Sequence, residues 1–223
     1  MAEGPTRAGE SRNLREQAYA SFTERLIARD IKAGQFVSQR ELVEITGLPL
    51  GAIRELVPRL EAEGLITTVP QRGMQVAHVD LNLIRNAFQF RLFLEREAAA
   101  IFAQSASDED IAAQKRAHED IIARARRGGD RHLVADAEAV DRRLHEGVID
   151  HLDNDIMSKA FRVNWIKIKL IRQNETRLYD ALILPVMGDH MKIIRAMERR
   201  RPAEAAAAMA EHISNARNRA MEL

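Results

Sequence analysis

The sequence predicts a mostly α-helical fold in two parts: a small N-terminal unit of three helices and a β-hairpin, then an antiparallel bundle of six long helices. Three observations carry that expectation. The 223 residues are 46% hydrophobic but only 4% aromatic, so the apolar mass is aliphatic, and the plentiful Ala, Leu, Arg and Glu are good helix formers. Apolar residues recur at three- and four-residue spacing through most of the chain, the signature of amphipathic helices. Strand-like runs are confined to one stretch before residue 80.

Taken in order, the opening residues MAEGPTRAGESR are small, polar and charged, and are expected to form a disordered tip over residues 1–12. Leu14, Ala18, Phe22, Leu26 and Ile27 then line one face of a helix that stops near Lys32-Ala33-Gly34. Ser38-Gln39-Arg40-Glu41 has the form of a capping box, in which serine and glutamate each satisfy a backbone N–H. It should open a short helix reaching Thr46 and closed by Gly47. In the third helix Pro49 suits the first turn, Ile53, Leu56 and Leu60 share a face, and Gly64 ends it. Pro58 lies inside this helix without an N–H to donate and is expected to bend it locally. LITTV and MQVAHV follow as short β-rich runs flanking Pro70-Gln71-Arg72-Gly73, a hairpin. Three helices and a hairpin over residues 13–78 make a winged helix-turn-helix plan.

From residue 79 to residue 223 the strand signal vanishes and breakers are sparse. Helices are expected over 81–104, 108–127, 130–150, 154–177, 181–199 and 202–223. They are separated at Ser105-Ala106-Ser107, Gly128-Gly129, Asp153 and Arg201-Pro202. Six helices of this length can bury a core of their own.

Composition sets limits on function. There are no cysteines, which removes disulfides, thiolate nucleophiles and thiolate metal sites. Any metal must be held by histidine and carboxylate. No window has the apolar length of a signal peptide or a membrane span, so the expectation is a cytoplasmic protein with no membrane association. A net charge of +1 neither supports nor excludes nucleic-acid binding, because a balanced chain can still segregate its charge.

One constellation stands out in the bundle. Asp141 and His145, four residues apart, share a helix face, while His190 and His212 lie on two later helices among aliphatic residues. Three imidazoles and a carboxylate suit a borderline divalent ion such as zinc, nickel, iron or manganese. Helical histidines beside aliphatic neighbours can equally be hydrogen-bonded spacers. His78, His118, His132 and His151 belong to no such pattern and are expected at the surface.

The run VSQRELVEITGLPLGAIRELVPRLEAEGLITTVPQRGMQV, residues 37–76, resembles the N-terminal winged helix of GntR-type transcriptional regulators. The likeness is carried by the Arg-Glu-Leu of the second helix, Ile53-Arg54-Glu55, the Leu60-to-Leu65 exit and the Arg72-Gly73 wing tip. The bundle resembles the FCD ligand-binding domain of the FadR subfamily, and six helices rather than seven point to its VanR-like group. The resemblance implies a homodimeric, effector-controlled transcription factor, most often a repressor. It would bind a pseudo-palindromic double-stranded DNA operator and respond to a small organic acid. It further implies that Arg40, Arg54, Arg72 and Gly73 form the DNA-binding surface. Asp141, His145, His190 and His212 would be metal ligands, with zinc first among the ions.

Arg91 matches an arginine that lines the family's effector pocket; its alternative is a surface i,i+4 pair with Glu95. Asn164, Lys167 and Arg172 are further effector-binding candidates, and Trp165 is expected in the core or pocket wall. The chain departs from the family where Pro49-Leu50-Gly51-Ala52 replaces a segment usually rich in hydroxyls and arginine. Leu50, Gly51 and Ala52 could still touch thymine methyls or let the backbone approach phosphate, and Glu41, Glu44 and Glu55 are expected as surface residues or intramolecular partners of the arginines. A metal-dependent hydrolase fused to a nucleic-acid-binding domain is the competing reading, although such an enzyme would need a general base and the chain has no H-E-x-x-H motif.

Overall fold

A computed structural model describes residues 7–128, 130–172 and 179–222. Its elements are α1 (Arg7–Ala28), β1 (Phe36–Val37), α2 (Gln39–Thr46), α3 (Leu50–Ala62), β2 (Ile66–Val69) and β3 (Gly73–Val76), followed by α4 (Leu81–Ser105), α5 (Asp108–Arg127), α6 (Leu133–Asp150), α7 (Asp155–Ile171), α8 (Tyr179–Glu198) and α9 (Pro202–Met221). A first compact unit extends to Asp80 and takes in residues 169–172; a second begins at Leu81.

In the first unit α1 already starts at Arg7, ahead of Leu14, so residues 7–12 are helical where a disordered tip was expected. Ala18, Phe22 and Leu26 are its buried face. The capping box of α2 forms: Glu41 N donates to Ser38 Oγ at 3.1 Å and Ser38 N to Glu41 Oε2 at 2.6 Å. Gly47, at φ 70°, closes the helix. Pro49 is the residue just before α3 rather than part of its first turn. Ile53, Leu56 and Leu60 are fully buried, and α3 runs unbroken through Pro58, which lies on the solvent side. Arg59 ties α3 to α1: its guanidinium meets both carboxylate oxygens of Glu16 at 3.0 Å and stacks 3.6 Å over the Tyr19 ring.

The hairpin pairs Ile66 with Val76 and Val69 with Gly73. A third strand, β1, joins it through Phe36↔Gln75 and Val37↔Met74, giving the order β1-β3-β2. β1 is not predictable from the sequence, because two residues are too few to show a period. Gly73 sits at φ 91°, and a Cβ there would come within 3.0 Å of Val37 O. The left-handed geometry and the close neighbour both require glycine.

In the second unit α4 packs on α9, α8 and α6, α5 on α8 and α6, and α8 on α9. The six helices follow the expected segments with small differences at their ends. α6 starts at Leu133 rather than 130 because Asp130 is spent on the preceding turn: its carboxylate accepts from Arg124 Nε at 2.7 Å and from His132 N at 2.9 Å. The expected end of the fourth bundle helix, at 177, lies outside the described residues. The buried stripe of α4 runs Ile84, Ala87, Phe88, Arg91, Glu95, Ala98, Phe102. A charged pair inside an aliphatic stripe marks where packing gives way to chemistry.

Candidate metal centre and DNA-reading surface

Asp141 and His145 of α6, His190 of α8 and His212 of α9 converge in the second unit. Each offers one ligand atom, and these atoms all lie within 4.8 Å of one another. All four residues are buried. His190 Nε2 stands 3.7 Å from Asp141 Oδ1 and 3.3 Å from His212 Nε2, and His145 Nε2 is 3.9 Å from Asp141 Oδ1. The i,i+4 spacing of Asp141 and His145 aims one helix face at the point that α8 and α9 approach.

The protonation of these rings suits a cation. Burial pushes His190 and His212 well below the ordinary histidine range, the Asp141 carboxylate opposing the shift at His190. Neutral imidazoles are the form that binds metal. His145 Nδ1 donates to Glu95 Oε2 at 2.5 Å, so that a neutral ring presents Nε2 as its lone pair. His212 has two options: to donate Nε2–H to His190, or to carry the proton on Nδ1, which faces Asp189 Oδ2 at 3.9 Å. The second option frees its Nε2 for a ligand bond. By donor type, count and spacing the four residues fit a divalent ion.

Arg91 is 3% exposed and Glu95 is fully buried, so their pair belongs to the interior and not to the surface. Arg91 Nε bonds Glu95 Oε1 at 2.6 Å and Nη2 bonds Oε2 at 3.2 Å. Burial alone would raise the Glu95 carboxyl, but Arg91 and His145 outweigh it and hold the group at about 2. Arg91 Nη2 also lies 3.2 and 3.3 Å from the ring nitrogens of His145, placing a guanidinium beside the ligand cluster. Trp165, 3% exposed and 5.8 Å from the His145 ring, is a wall of this site. Asn164 is buried and donates to Ala87 O at 3.1 Å, joining α7 to α4. Lys167 and Arg172 are half-buried.

His118 was expected at the surface and is instead fully buried. Its Nδ1 meets Gln114 O at 2.7 Å and its Nε2 meets His190 Nδ1 at 3.0 Å. A signal was available: Ile111, Gln114, His118 and Ile121 form the buried stripe of α5 at three- and four-residue spacing. His78 and His132 are exposed as expected, and His151 is half-buried against Ser105 Oγ at 2.8 Å.

In the first unit Arg40 opens α2, Arg54 lies on α3 and Arg72 sits in the hairpin turn, all three exposed. Among the described residues none of them forms an ion pair, which corrects the expected pairing with acids. Glu41 is committed to the Ser38 cap instead. Arg72 rests 4.2 Å over the Phe36 ring. At the tip of α3, Leu50 is 37% exposed and a Cβ on Gly51 would meet nothing within 4 Å. Ala52 is buried, so it belongs to the core and cannot reach a base.

Comparison with known proteins follows the same division. Residues 14–76 match the family described as bacterial regulatory proteins, gntR family, and residues 86–215 match the FCD domain. The Uxu operon transcriptional regulator of Escherichia coli (strain K12) is 25% identical over 208 residues, covering 82% of this chain and 77% of that protein. The Nta operon transcriptional regulator of Aminobacter aminovorans is 27% identical over 86 residues, covering 39% of this chain and 41% of the relative. Among solved structures, E. coli McbR/YncC superposes with a TM-score of 0.78 at 15% identity, covering 94% of this chain and 97% of that one. A GntR regulator from Rhodococcus sp. RHA1 gives 0.73 at 14% identity, covering 94% and 98%. At these identities the structural likeness shows the fold alone.

Proposed function

The chain belongs to the GntR family of bacterial transcriptional regulators that carry an FCD domain, and from that premise we propose that it is a homodimeric repressor released from its operator by a small organic acid. The families and relatives it matches are regulators of transcription and not enzymes, which removes the hydrolase reading. No helix among the described residues is long and apolar enough to cross a membrane.

The observation that carries the sensing half is the convergence of Asp141, His145, His190 and His212 in a buried core next to Arg91. Those four would hold a divalent ion, zinc first, with nickel, iron and manganese as alternatives. When bound, the ion supplies a Lewis-acidic anchor for an oxygen ligand. Arg91 and Glu95 cancel in formal charge, leaving the Asp141 carboxylate. A dication therefore turns the pocket net positive, and one carboxylate of an effector neutralises it. Arg91, pre-positioned by Glu95, can donate to that carboxylate with geometric preference over a neutral ligand. Asn164 fixes the wall of the pocket by holding α7 to α4, and Lys167 on α7 is a further contact for the acid.

For the DNA half, a two-fold dimer matches a pseudo-palindromic site, one α3 per major-groove half-site. Among the described residues Arg40, Arg54 and Arg72 are exposed cations that form no ion pair, the form in which arginine reads guanine edges or phosphate. Gly73 keeps the wing turn that presents Arg72. Leu50 and Gly51 offer apolar contact and close backbone approach, so readout rests on the three arginines and on DNA shape. The effector controls binding only if it favours one arrangement of the dimer over another. A protein of this kind works in the cytoplasm.

A thermal-shift screen of small mono-, di- and tricarboxylic acids on the zinc-loaded protein tests the reading. At least one acid should raise the midpoint, and chelation should abolish that rise. Midpoints indifferent to every acid, or to chelation, contradict it.

A further inference from the structure

The metal centre has a second layer that the ligand set does not reveal. His145 is oriented by a carboxylate, Glu95, accepting from its Nδ1 at 2.5 Å. Among the described residues the partner at the outer nitrogen of His190 is not a carboxylate but His118, contributed by α5, a helix that supplies none of the four ligands.

The direction of this hydrogen-bond chain is fixed at one end by covalent chemistry. Gln114 O is a peptide carbonyl and can only accept, so the 2.7 Å contact requires a proton on His118 Nδ1. In a neutral imidazole the other nitrogen, His118 Nε2, is then a lone pair. It lies 3.0 Å from His190 Nδ1, which must therefore be the donor. With its proton on Nδ1, neutral His190 presents Nε2 bare, 3.7 Å from Asp141 Oδ1 and 3.3 Å from His212 Nε2. The opposite tautomer would place two lone pairs against each other at 3.0 Å and put a proton where a ligand bond has to form. His118 and His190 also meet edge to face, their ring centroids 5.1 Å apart and inclined at 70°, so the contact fixes ring orientation as well as the proton.

We propose that His118 is a positioning residue of the metal centre, fixing the tautomer and orientation of His190 so that His190 Nε2 faces the other three ligands as a lone pair. This rests on the metal reading above. It gives two ligands different outer partners: a charged one for His145, which strengthens it as a donor, and a neutral relay for His190, which orients the ring without adding charge to the pocket. Outer partners of metal-bound histidines typically change affinity by about 10–100-fold when removed.

The test uses the full chain and two variants. His118→Phe keeps the ring but removes the acceptor; His118→Gln restores an acceptor through its side-chain carbonyl. Zinc affinity is measured in competition with a chromophoric chelator, and the tautomer of His190 is read from long-range 15N–1H correlations of the metal-free protein. Expected are an Nδ1–H tautomer for His190 in the wild type, zinc binding about 10–100-fold weaker in His118→Phe, and recovery to within about threefold in His118→Gln. A folded His118→Phe that binds zinc like the wild type overturns the proposal, as does an Nε2–H tautomer in the wild type. The wild-type spectrum decides the tautomer even if His118→Phe does not fold. A wild-type chain that takes up no zinc overturns the metal centre itself, and that outcome is distinguishable because the tautomer is read without metal.

Discussion

Lowering the pH from 7.5 to 5.5 should destabilise the metal-free second unit, and the buried histidines set the direction and the ceiling of that loss. Burial lowers His118, His190 and His212 below their ordinary value of 6.5. The unfolded chain therefore takes up protons below pH 6.5 that the folded chain refuses, and stability, present above that pH, is lost as the pH falls. Between pH 7.5 and 5.5 a histidine that stays neutral in the fold contributes a loss of at most about 1.4 kcal/mol, so three set a ceiling of about 4 kcal/mol. Glu95, held at about 2 where burial would raise it but Arg91 and His145 prevail, stays charged across the window and adds nothing. Trp165 is the single tryptophan and lies 5.8 Å from the His145 ring, so its fluorescence reports unfolding at the site itself. Urea unfolding of the chelated protein, followed by that emission at both pH values, measures the effect. A loss below about 1 kcal/mol, or a gain on acidification, would mean that these rings are not held neutral and would refute the reasoning.

Five substitutions probe other parts of the structure. Arg91→Met strands the fully buried Glu95 carboxylate and should cost about 3–5 kcal/mol, while adding Glu95→Gln should recover much of that; denaturant midpoints of the single and double variants decide. In the first unit two glycines should respond oppositely: Gly73→Ala, at φ 91° with its Cβ 3.0 Å from Val37 O, should destabilise by about 1–3 kcal/mol, whereas Gly51→Ala, in an open helical position, should stabilise by about 0.5–1 kcal/mol, both read by thermal unfolding. Arg40→Ala should leave the melting midpoint unchanged but weaken operator binding, and if Arg40 bonds phosphate the slope of log affinity against log salt should fall by about 1, as anisotropy at several salt concentrations would show.

Much of this protein is legible in its sequence because its elements announce themselves locally. The Ser38–Glu41 box, the glycine after Thr46 and the apolar period of the bundle helices each act within a few residues, and the structure reproduces them. What was missed depends on distant partners. β1 is two residues long and exists only because β3 pairs with it. For Arg91 and Glu95 the i,i+4 spacing leaves a pocket arginine and a surface pair both open, and only the packing of α6, α8 and α9 on α4 decides for the interior. His118 has no spacing relation to the other histidines; its importance comes from α5 packing against α8, which brings its Nε2 to His190. The four ligand candidates were readable only as a set, since Asp141 and His145 share a helix while His190 and His212 do not.

Regulation by this protein requires coupling between acid binding and DNA binding. Fluorescence anisotropy of a labelled fragment from upstream of the protein's own gene, titrated with the zinc-loaded chain, should show salt-sensitive binding tighter than to an unrelated fragment. Adding the acid with the largest thermal shift should weaken that binding about 5- to 150-fold, the usual range of allosteric coupling, and chelation should erase the effect of the acid. Equal affinity for both fragments, or an acid that leaves the upstream affinity unchanged with zinc present, would contradict the account.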